Sequence, residues 1–231
     1  MQRIDAPEIL DSDACPPAEV QAVLKVLTSI NRRFGGVSTT QRMVERVARV
    51  AKVRQLSLLE VGAGTGEVPE IVRQNVAQKI SLEVTLLDRA PSHLVPTNGS
   101  RAANRSVVAD ALSLPFSENA FDLVSCNLFA HHLQPQELAV FVKEGIRVSR
   151  VALLINDLVR HPLHLAIVYA SLPLMRNRVA WLDGLTSVRR AYIPREIRSI
   201  VTSTVASSQR PLEISRHYLF RMGVILWKNA R

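Results

Sequence analysis

Cysteine is scarce in this sequence, and its scarcity excludes two classes of protein. Cys15 and Cys126 are the only cysteines among 231 residues. Two thiols cannot form a four-thiolate zinc site, nor the several disulfides that hold a small secreted domain together. The sequence also lacks long runs of lysine and arginine and any alternation of basic with aromatic residues. A nucleic-acid surface is therefore not expected.

Long apolar runs are missing as well. The longest, residues 163–175, is interrupted by His164 and Pro173 and is too short to cross a bilayer as a helix. Near the N-terminus, Asp5 and Pro7 stand where a secretion signal has an apolar stretch. These features predict a cytoplasmic protein without a transmembrane span.

The residues that are present suffice for a large apolar core. Hydrophobic residues make up 47% of the chain and charged residues 21%, which are values typical of a globular protein. A length of 231 residues fits one elaborated domain better than two small ones. We therefore expect a single domain over residues 1–231.

Positive charge is concentrated towards the C-terminus. Residues 1–157 contain 17 basic and 17 acidic side chains, whereas residues 158–231 contain 12 basic and 3 acidic ones. Such an excess attracts anions and would suit RNA, an acidic carrier protein or an anionic small molecule. The alternative is that the 24 arginines of the chain are simply spread over solvated faces.

The order of apolar segments predicts strands that alternate with helices. Helical spacing up to residue 54 predicts two helices that precede any strand. Short apolar runs predict parallel strands at 56–61, 82–87, 106–109, 121–126 and 151–155, with helices between several of them. The expected division is a helical cap at 1–54, a strand–helix core at 55–156, a lid insertion and helix at 157–206, and a closing antiparallel hairpin at 207–231.

The clearest motif is the run Leu-Leu-Glu-Val-Gly-Ala-Gly-Thr-Gly at residues 58–66. An apolar strand leads into three alternating glycines and then a helix, which is a turn where a ligand can touch bare backbone. A nicotinamide fingerprint would need glycine in place of Glu67, and a P-loop would need Gly-Lys-Ser/Thr. Instead, an acid, Glu60, stands two residues before the first glycine.

This motif resembles motif I of the class I S-adenosylmethionine-dependent methyltransferases. The resemblance implies a Rossmann-like α/β fold, with a seven-stranded, mostly parallel sheet whose last strand is antiparallel, and a helical lid. It also implies S-adenosylmethionine as cofactor and S-adenosylhomocysteine as product. The residues expected to bind the cofactor are Glu60, Gly62, Ala63, Gly64, Gly66, Asp88, Arg89, Asp110, Ala111 and Asn127.

Two acids farther along the chain agree with this interpretation. Asp88 ends the second predicted strand, and Asp110 follows the third. A carboxylate at position 88 can accept hydrogen bonds from both hydroxyls of a ribose. In the family that the motif resembles, the acid at the place of Asp110 faces the adenine amino group, and Ala111 supplies a backbone contact.

The fourth predicted strand and its sequel, Phe-Asp-Leu-Val-Ser-Cys-Asn-Leu-Phe-Ala-His-His-Leu at 121–133, resemble motif IV of type 11, or quinone-biosynthesis-like, small-molecule methyltransferases. The resemblance implies that Asn127 lies under the sulfonium. The Asn-Pro-Pro-aromatic signature of base-nitrogen methyltransferases is absent from the sequence, and Cys126 lacks the preceding proline of a cytosine methyltransferase nucleophile. Metal-dependent catechol-type enzymes have an acid at the place of Asn127, so no metal is expected.

Four residues are candidates for catalysis: His131, His132, Arg160 and His161. Either of the first two histidines can remove a proton from a hydroxyl, or can merely pack beside the cofactor, and His132 is favoured as the packing residue. The apolar segment 158–182 would cover an apolar acceptor, and Arg160 at its edge would stabilise an oxyanion while His161, His164 or water accepts the proton. The alternative is that this segment packs on the sheet with Arg160 at its surface.

The favoured function is methyl transfer to a small organic acceptor, above all to a hydroxyl of an aromatic, quinol or polyketide-like molecule. One alternative is an RNA or protein methyltransferase that uses the basic C-terminal third. Another is a cofactor-binding protein of the same fold without turnover.

Overall fold

The strands and helices follow one another in the order that the sequence predicts. The computed structural model describes residues 1–8, 17–94, 105–174, 177–205 and 210–229. Its strands are β1 (Gln55–Val61), β2 (Ser81–Asp88), β3 (Arg105–Val108), β4 (Phe121–Asn127), β5 (Ser149–Leu158), β6 (Leu212–His217) and β7 (Arg221–Trp227). Its helices are α1 (Pro17–Arg33), α2 (Gly36–Ala51), α3 (Glu67–Val76), α4 (Pro135–Val148), α5 (Pro162–Ala170), α6 (Arg178–Arg190) and α7 (Pro194–Thr204), with short 3-10 helices at Ala130–His132 and Leu172–Leu174.

The seven strands form one sheet in the order β3-β2-β1-β4-β5-β7-β6. The first five strands pair in parallel, and β7 runs antiparallel to both of its neighbours. This arrangement confirms the predicted seven-stranded Rossmann-like sheet with a reversed last strand. β5 is longer than its apolar run predicted, because it pairs with β4 on one side and with β7 on the other.

A buried apolar cluster lies on each side of the sheet. Successive residues of β1 point to opposite faces, so Leu58 joins the cluster formed with α2 and α3, and Leu59 joins the cluster formed with α4 and α7. Both clusters fix the strand ends from which the loops of the functional site leave. None of the helices in the described residues is long and apolar enough to cross a membrane.

Candidate active site

A cleft of about 950 Å³ opens where β1, β2 and β4 end. This is the edge at which an open parallel sheet binds ligands. The loops after these strands supply one wall, and α1 supplies another through Leu24, Leu27 and neighbouring residues. Glu8, from the N-terminal segment, also faces the cleft.

The glycine turn after β1 has open space for a ligand above one of its three glycines. Gly62, Gly64 and Gly66 all have positive φ, at 65°, 53° and 69°. A Cβ at Gly62 would collide with Phe129, and a Cβ at Gly66 would collide with Leu86. A Cβ at Gly64 would meet only a methyl of Leu24, at 3.8 Å, so open space lies over this residue. Two glycines therefore serve close packing, and the third keeps the cleft open.

Asp88 is held as a carboxylate at the end of β2. Its Oδ2 accepts a hydrogen bond from the Gly64 N–H at 2.8 Å, and its Oδ1 accepts one from the Ala90 N–H at 3.0 Å. Burial alone would raise the pKa of this carboxyl, but hydrogen bonds from His93 and from these N–H groups bring it below its ordinary value. Asp88 faces the cleft and is ionised at neutral pH.

Asp110, Ala111, Arg89 and Ala63 also line the cleft as predicted, whereas Gly66 is not among the described residues that line it. Asp110 is exposed, and its Oδ1 accepts a hydrogen bond from the Leu112 N–H at 2.8 Å. Ala111 is buried beside it, and the exposed Arg89 follows Asp88. Ala63 lines the glycine turn.

Glu60 reaches the cleft from inside the sheet. Its carboxyl is buried, accepts a hydrogen bond from the Ser125 hydroxyl, and has its pKa raised to about 7, chiefly because burial disfavours the charged form. The acid of the motif thus links β1 to β4.

The floor of the cleft rests on a buried arginine, Arg221. Its guanidinium donates to Asn31 at 2.6 Å and lies 3.3 Å from the side-chain oxygens of both Asn127 and Asn156. Burial lowers the pKa of Arg221 to about 10, which still leaves it charged at neutral pH. Asn127, which was expected under the sulfonium, lines the cleft. Its side-chain oxygen points to Arg221, and this contact fixes the orientation of its amide.

His131 is enclosed between two carboxylates. Its Nδ1 lies 2.7 Å from Asp157 Oδ1, and its Nε2 lies 3.3 Å from Glu8 Oε1. Burial would lower the pKa of His131, but the charges and hydrogen bonds of Asp157 and Glu8 raise it to about 10. In this arrangement His131 is an imidazolium that already carries a proton, so the geometry favours an orienting role over that of a base.

The raised pKa of His131 predicts a fall in stability at alkaline pH. An ordinary histidine in the unfolded chain has a pKa of about 6.5, and the folded value is about 10. Stabilisation from this proton is complete below about pH 6.5 and is lost as the pH rises towards about 10. We expect the free energy of unfolding to fall between these limits by at most about 1.4 kcal/mol per pH unit.

Urea unfolding across this pH range measures the fall. It should be shallower in His131→Gln than in the native protein. His164→Gln is the matched control, because the pKa of His164 is lowered, mainly by burial, and its titration lies below this range. An equally steep fall in His131→Gln would contradict the account.

His132 is the histidine that faces the cleft. Its side chain is 25% exposed, its ring stacks on Phe129 at 6.3 Å between centroids, and its Nε2 lies 3.8 Å from Glu8 Oε2. The sequence favoured His132 as the packing residue. In the structure the buried histidine is His131, and His132 is the histidine at the surface of the cleft.

One group of described residues has a geometry that a metal ion can bridge. It consists of Glu8, His131 and His132, whose ligand atoms all lie within 4.8 Å of one another. In the structure these side chains pair with each other, and Asp157 holds the far side of the His131 ring.

Arg160 and His161 lie elsewhere, which corrects their expected placement. Arg160 is buried, and its guanidinium donates to the Met1 carbonyl at 3.0 Å, to the Ala191 carbonyl at 2.6 Å and to Glu196 at 2.5 Å. The His161 ring stacks on Phe220, and its Nδ1 accepts the Leu163 N–H. Neither residue is among the described residues that line the cleft. Arg160 is thus held by three partners, and the exposed His161 stacks on Phe220 away from the cleft.

The predicted lid over residues 158–182 also differs from the structure. Within the described residues, the cleft is lined by none from 157–206, and α5 packs on α6. The cleft is instead walled by Glu8 and by α1. The cap expected at 1–54 therefore performs the covering that was expected from the insertion.

Several residues that line the cleft were not predicted from the sequence. They are Glu8, Leu24, Leu27, Thr28, Asn31, His93, Phe129, Leu133 and Glu137. Those in α1 show only the apolar spacing of any amphipathic helix, and Glu8 belongs to no motif. Phe129 could have been found from the sequence, because it lies two residues after the end of β4 within the quoted motif.

Residues 59–151 match a family model described as a methyltransferase domain, type 11. The match spans the glycine turn, both strand-end acids and the two histidines, and it confirms the predicted resemblance. No curated protein matches the chain by sequence.

Solved structures of methyltransferases share the fold. The plantazolicin methyltransferase BpumL, in complex with a pentazolic desmethyl analogue and S-adenosylhomocysteine, has a TM-score of 0.70 at 12% identity, covering 93% of this chain and 96% of that one. Human N-acetylserotonin methyltransferase with S-adenosylmethionine gives 0.67 at 12% identity, covering 98% and 61%. An O-methyltransferase family 2 protein from Planctomyces limnophilus, in complex with apigenin, gives 0.65 at 17% identity, covering 94% and 63%. Likeness at such low identity establishes the fold.

Proposed function

We propose that the chain transfers the methyl group of S-adenosylmethionine to a hydroxyl of a small apolar acceptor. The match of residues 59–151 to a methyltransferase domain and the shared fold of solved methyltransferases support this proposal. Aromatic, quinol and polyketide-like molecules are the favoured acceptors. The observation that carries the proposal is one continuous cleft that joins the glycine turn and Asp88 to an apolar wall and to His132.

The cofactor end of the cleft suits an adenosyl group. The space over Gly64 admits a ligand against the backbone, and the ionised Asp88 presents acceptors for the two ribose hydroxyls. Asp110 is exposed at the next strand end, where it can accept from the adenine amino group. The structures of BpumL and of human N-acetylserotonin methyltransferase, which contain S-adenosylhomocysteine and S-adenosylmethionine, support the choice of cofactor.

The acceptor end suits a flat or greasy molecule. Leu24 and Leu27 of α1, with Phe129 and Leu133 from the loop after β4, give this part of the cleft its apolar surface. Such a surface excludes water and aligns an apolar acceptor with the methyl donor. The complexes of neighbouring structures with apigenin and with an azole-containing analogue support acceptors of this kind.

His132 is the residue proposed to accept the hydroxyl proton. S-adenosylmethionine supplies a methyl group already bound to a sulfonium, so the protein has to align the reactants and remove one proton. The Nε2 of His132 faces the Glu8 carboxylate, which orients the ring and stabilises the charge it gains. His131, held by Asp157 and Glu8, fixes Glu8 in turn.

Mass spectrometry tests this function. The protein is incubated with S-adenosylmethionine and a panel of phenols, quinols and matched aryl amines. Products bearing one added methyl on oxygen are expected from the phenols or quinols. Methylation of the amines alone would replace the hydroxyl proposal with an N-methyltransferase of the same cleft.

Removal of divalent metals is expected to leave turnover unchanged. The sulfonium needs no Lewis acid, and Glu8, His131 and His132 already pair with one another. Turnover is measured before and after dialysis against EDTA, with circular dichroism as the control for folding. A loss that zinc or manganese restores would contradict the prediction and would identify these three residues as a metal site.

A further inference from the structure

Helix α5 presents an apolar stripe to the outside of the molecule. Leu163, Ala166, Ile167 and Ala170 stand at helical spacing and all are exposed, Leu163 at 56% and Ile167 at 43%. The stripe continues into Leu172, which is 45% exposed. No residue of α5 is buried. A surface helix ordinarily turns its polar residues outward, so this stripe is a contiguous apolar patch of the kind that marks an interaction site.

The rest of the molecule holds this orientation in place. On the inner side of α5, the Val168 carbonyl accepts a hydrogen bond from the Trp181 indole at 2.8 Å. At its start, the rings of His161 and His164 stack on Phe220, with centroids 5.0 and 5.1 Å apart. The helix is thus anchored through its opposite side and the stripe remains outside.

Nearly all of the exposed charged side chains in the C-terminal third of the chain are positive. Between residues 158 and 231 the exposed charged residues that the structure describes are Arg178, Arg189, Arg195, Arg198 and Arg216. Asp183 is buried, Glu196 pairs with Arg160, and Glu213 pairs with Arg46. The sequence between residues 161 and 175 contains no Asp, Glu, Lys or Arg. Two of these arginines, Arg178 and Arg189, lie on α6, the helix that packs on α5, so the uncharged stripe belongs to a part of the chain whose exposed charges are positive.

We infer that α5 and the 3-10 helix after it dock on the surface of an anionic lipid bilayer. The apolar stripe would enter the boundary between headgroups and acyl chains, and Arg178 and Arg189 of the adjoining α6 would be attracted to the anionic headgroups. A second copy of the chain carries the same positive charge and would be repelled, whereas an anionic bilayer attracts it. The docking is peripheral and does not depend on the proposed methyl transfer.

Vesicle flotation of the full chain tests the inference. Binding is compared on vesicles of phosphatidylcholine alone and on an equal mixture with phosphatidylglycerol. We expect binding to the anionic vesicles that weakens at least about tenfold as salt is raised from low to high concentration. We expect a similar loss in the double variant Leu163→Asp, Ile167→Asp. The control is Val140→Asp on α4, an apolar residue 42% exposed on another helix, which should bind as the native protein does.

Three results would overturn the inference. One is no binding of the native protein to anionic vesicles. Another is equal binding of the double variant, which would leave only non-specific attraction by arginines. The third is a dimer, seen by sedimentation, that the double variant dissociates and that replaces vesicle binding. Thermal unfolding checks that the variants fold, and substitutions at such exposed positions are expected to change stability little.

Discussion

Replacing Gly64 by valine is expected to abolish measurable binding of S-adenosylhomocysteine. A Cβ at this residue meets nothing nearer than Leu24 at 3.8 Å, so a branched side chain would project into the space proposed for the cofactor. We expect the dissociation constant to rise at least about 100-fold, which corresponds to about 2.7 kcal/mol. Isothermal titration calorimetry measures the change.

Backbone strain must be separated from this loss of space. Gly64 has φ of 53°, and a side chain in the left-handed region costs roughly 1–2 kcal/mol of stability. Gly35→Ala is the matched control, since Gly35 has φ of 84° and is not among the described residues of the cleft. It should lower the melting temperature but leave the affinity intact. Native affinity in Gly64→Val would refute the cofactor site.

Replacing His132 by alanine is expected to lower kcat about 100-fold while cofactor affinity changes by less than about threefold. A positioned general base accelerates a reaction about 10²–10⁴-fold. We adopt the lower value because water in the cleft can accept the hydroxyl proton in part when the histidine is missing. Steady-state kinetics on an acceptor identified by the mass-spectrometric test, with calorimetry for S-adenosylhomocysteine, separate the two effects. Glu8→Gln should lower kcat by a smaller factor, because it keeps the shape of Glu8 but loses its charge beside the His132 ring.

His164→Ala is the control for loss of an imidazole. His164 stacks on Phe220 and is not among the described cleft residues, so its removal should leave kcat near the native value. Equal turnover in His132→Ala and the native protein would exclude His132 as the base. The hydroxyl proton would then have to leave directly to water.

The cofactor end could be predicted from the sequence because its information is local. The run at 58–66 contains the end of β1 and the three glycines, and α3 begins at the next residue. Asp88 and Asp110 each follow a strand, and the ends of parallel strands meet at one edge of a sheet. The structure places all three at the same cleft.

The acceptor end could not be predicted because it depends on contacts between distant segments. Glu8 meets His131 across more than a hundred residues, and nothing in its neighbours along the chain marks that contact. Arg160 seemed free for an acceptor, yet its partners are Met1, Ala191 and Glu196. Apolar spacing in α1 predicted a helix without indicating that Leu24 and Leu27 would face a cleft.

The most direct test of the central claim is transfer of an isotopically labelled methyl group. The protein is incubated with S-adenosylmethionine carrying a deuterated methyl group, together with an extract of apolar metabolites, and the products are compared by mass with a Gly64→Val reaction. We predict at least one product that gains a single labelled methyl on oxygen with the native protein and not with the variant. Binding of the cofactor without any labelled product, over a broad range of extracts, would contradict the claim and indicate a cofactor-binding protein without turnover.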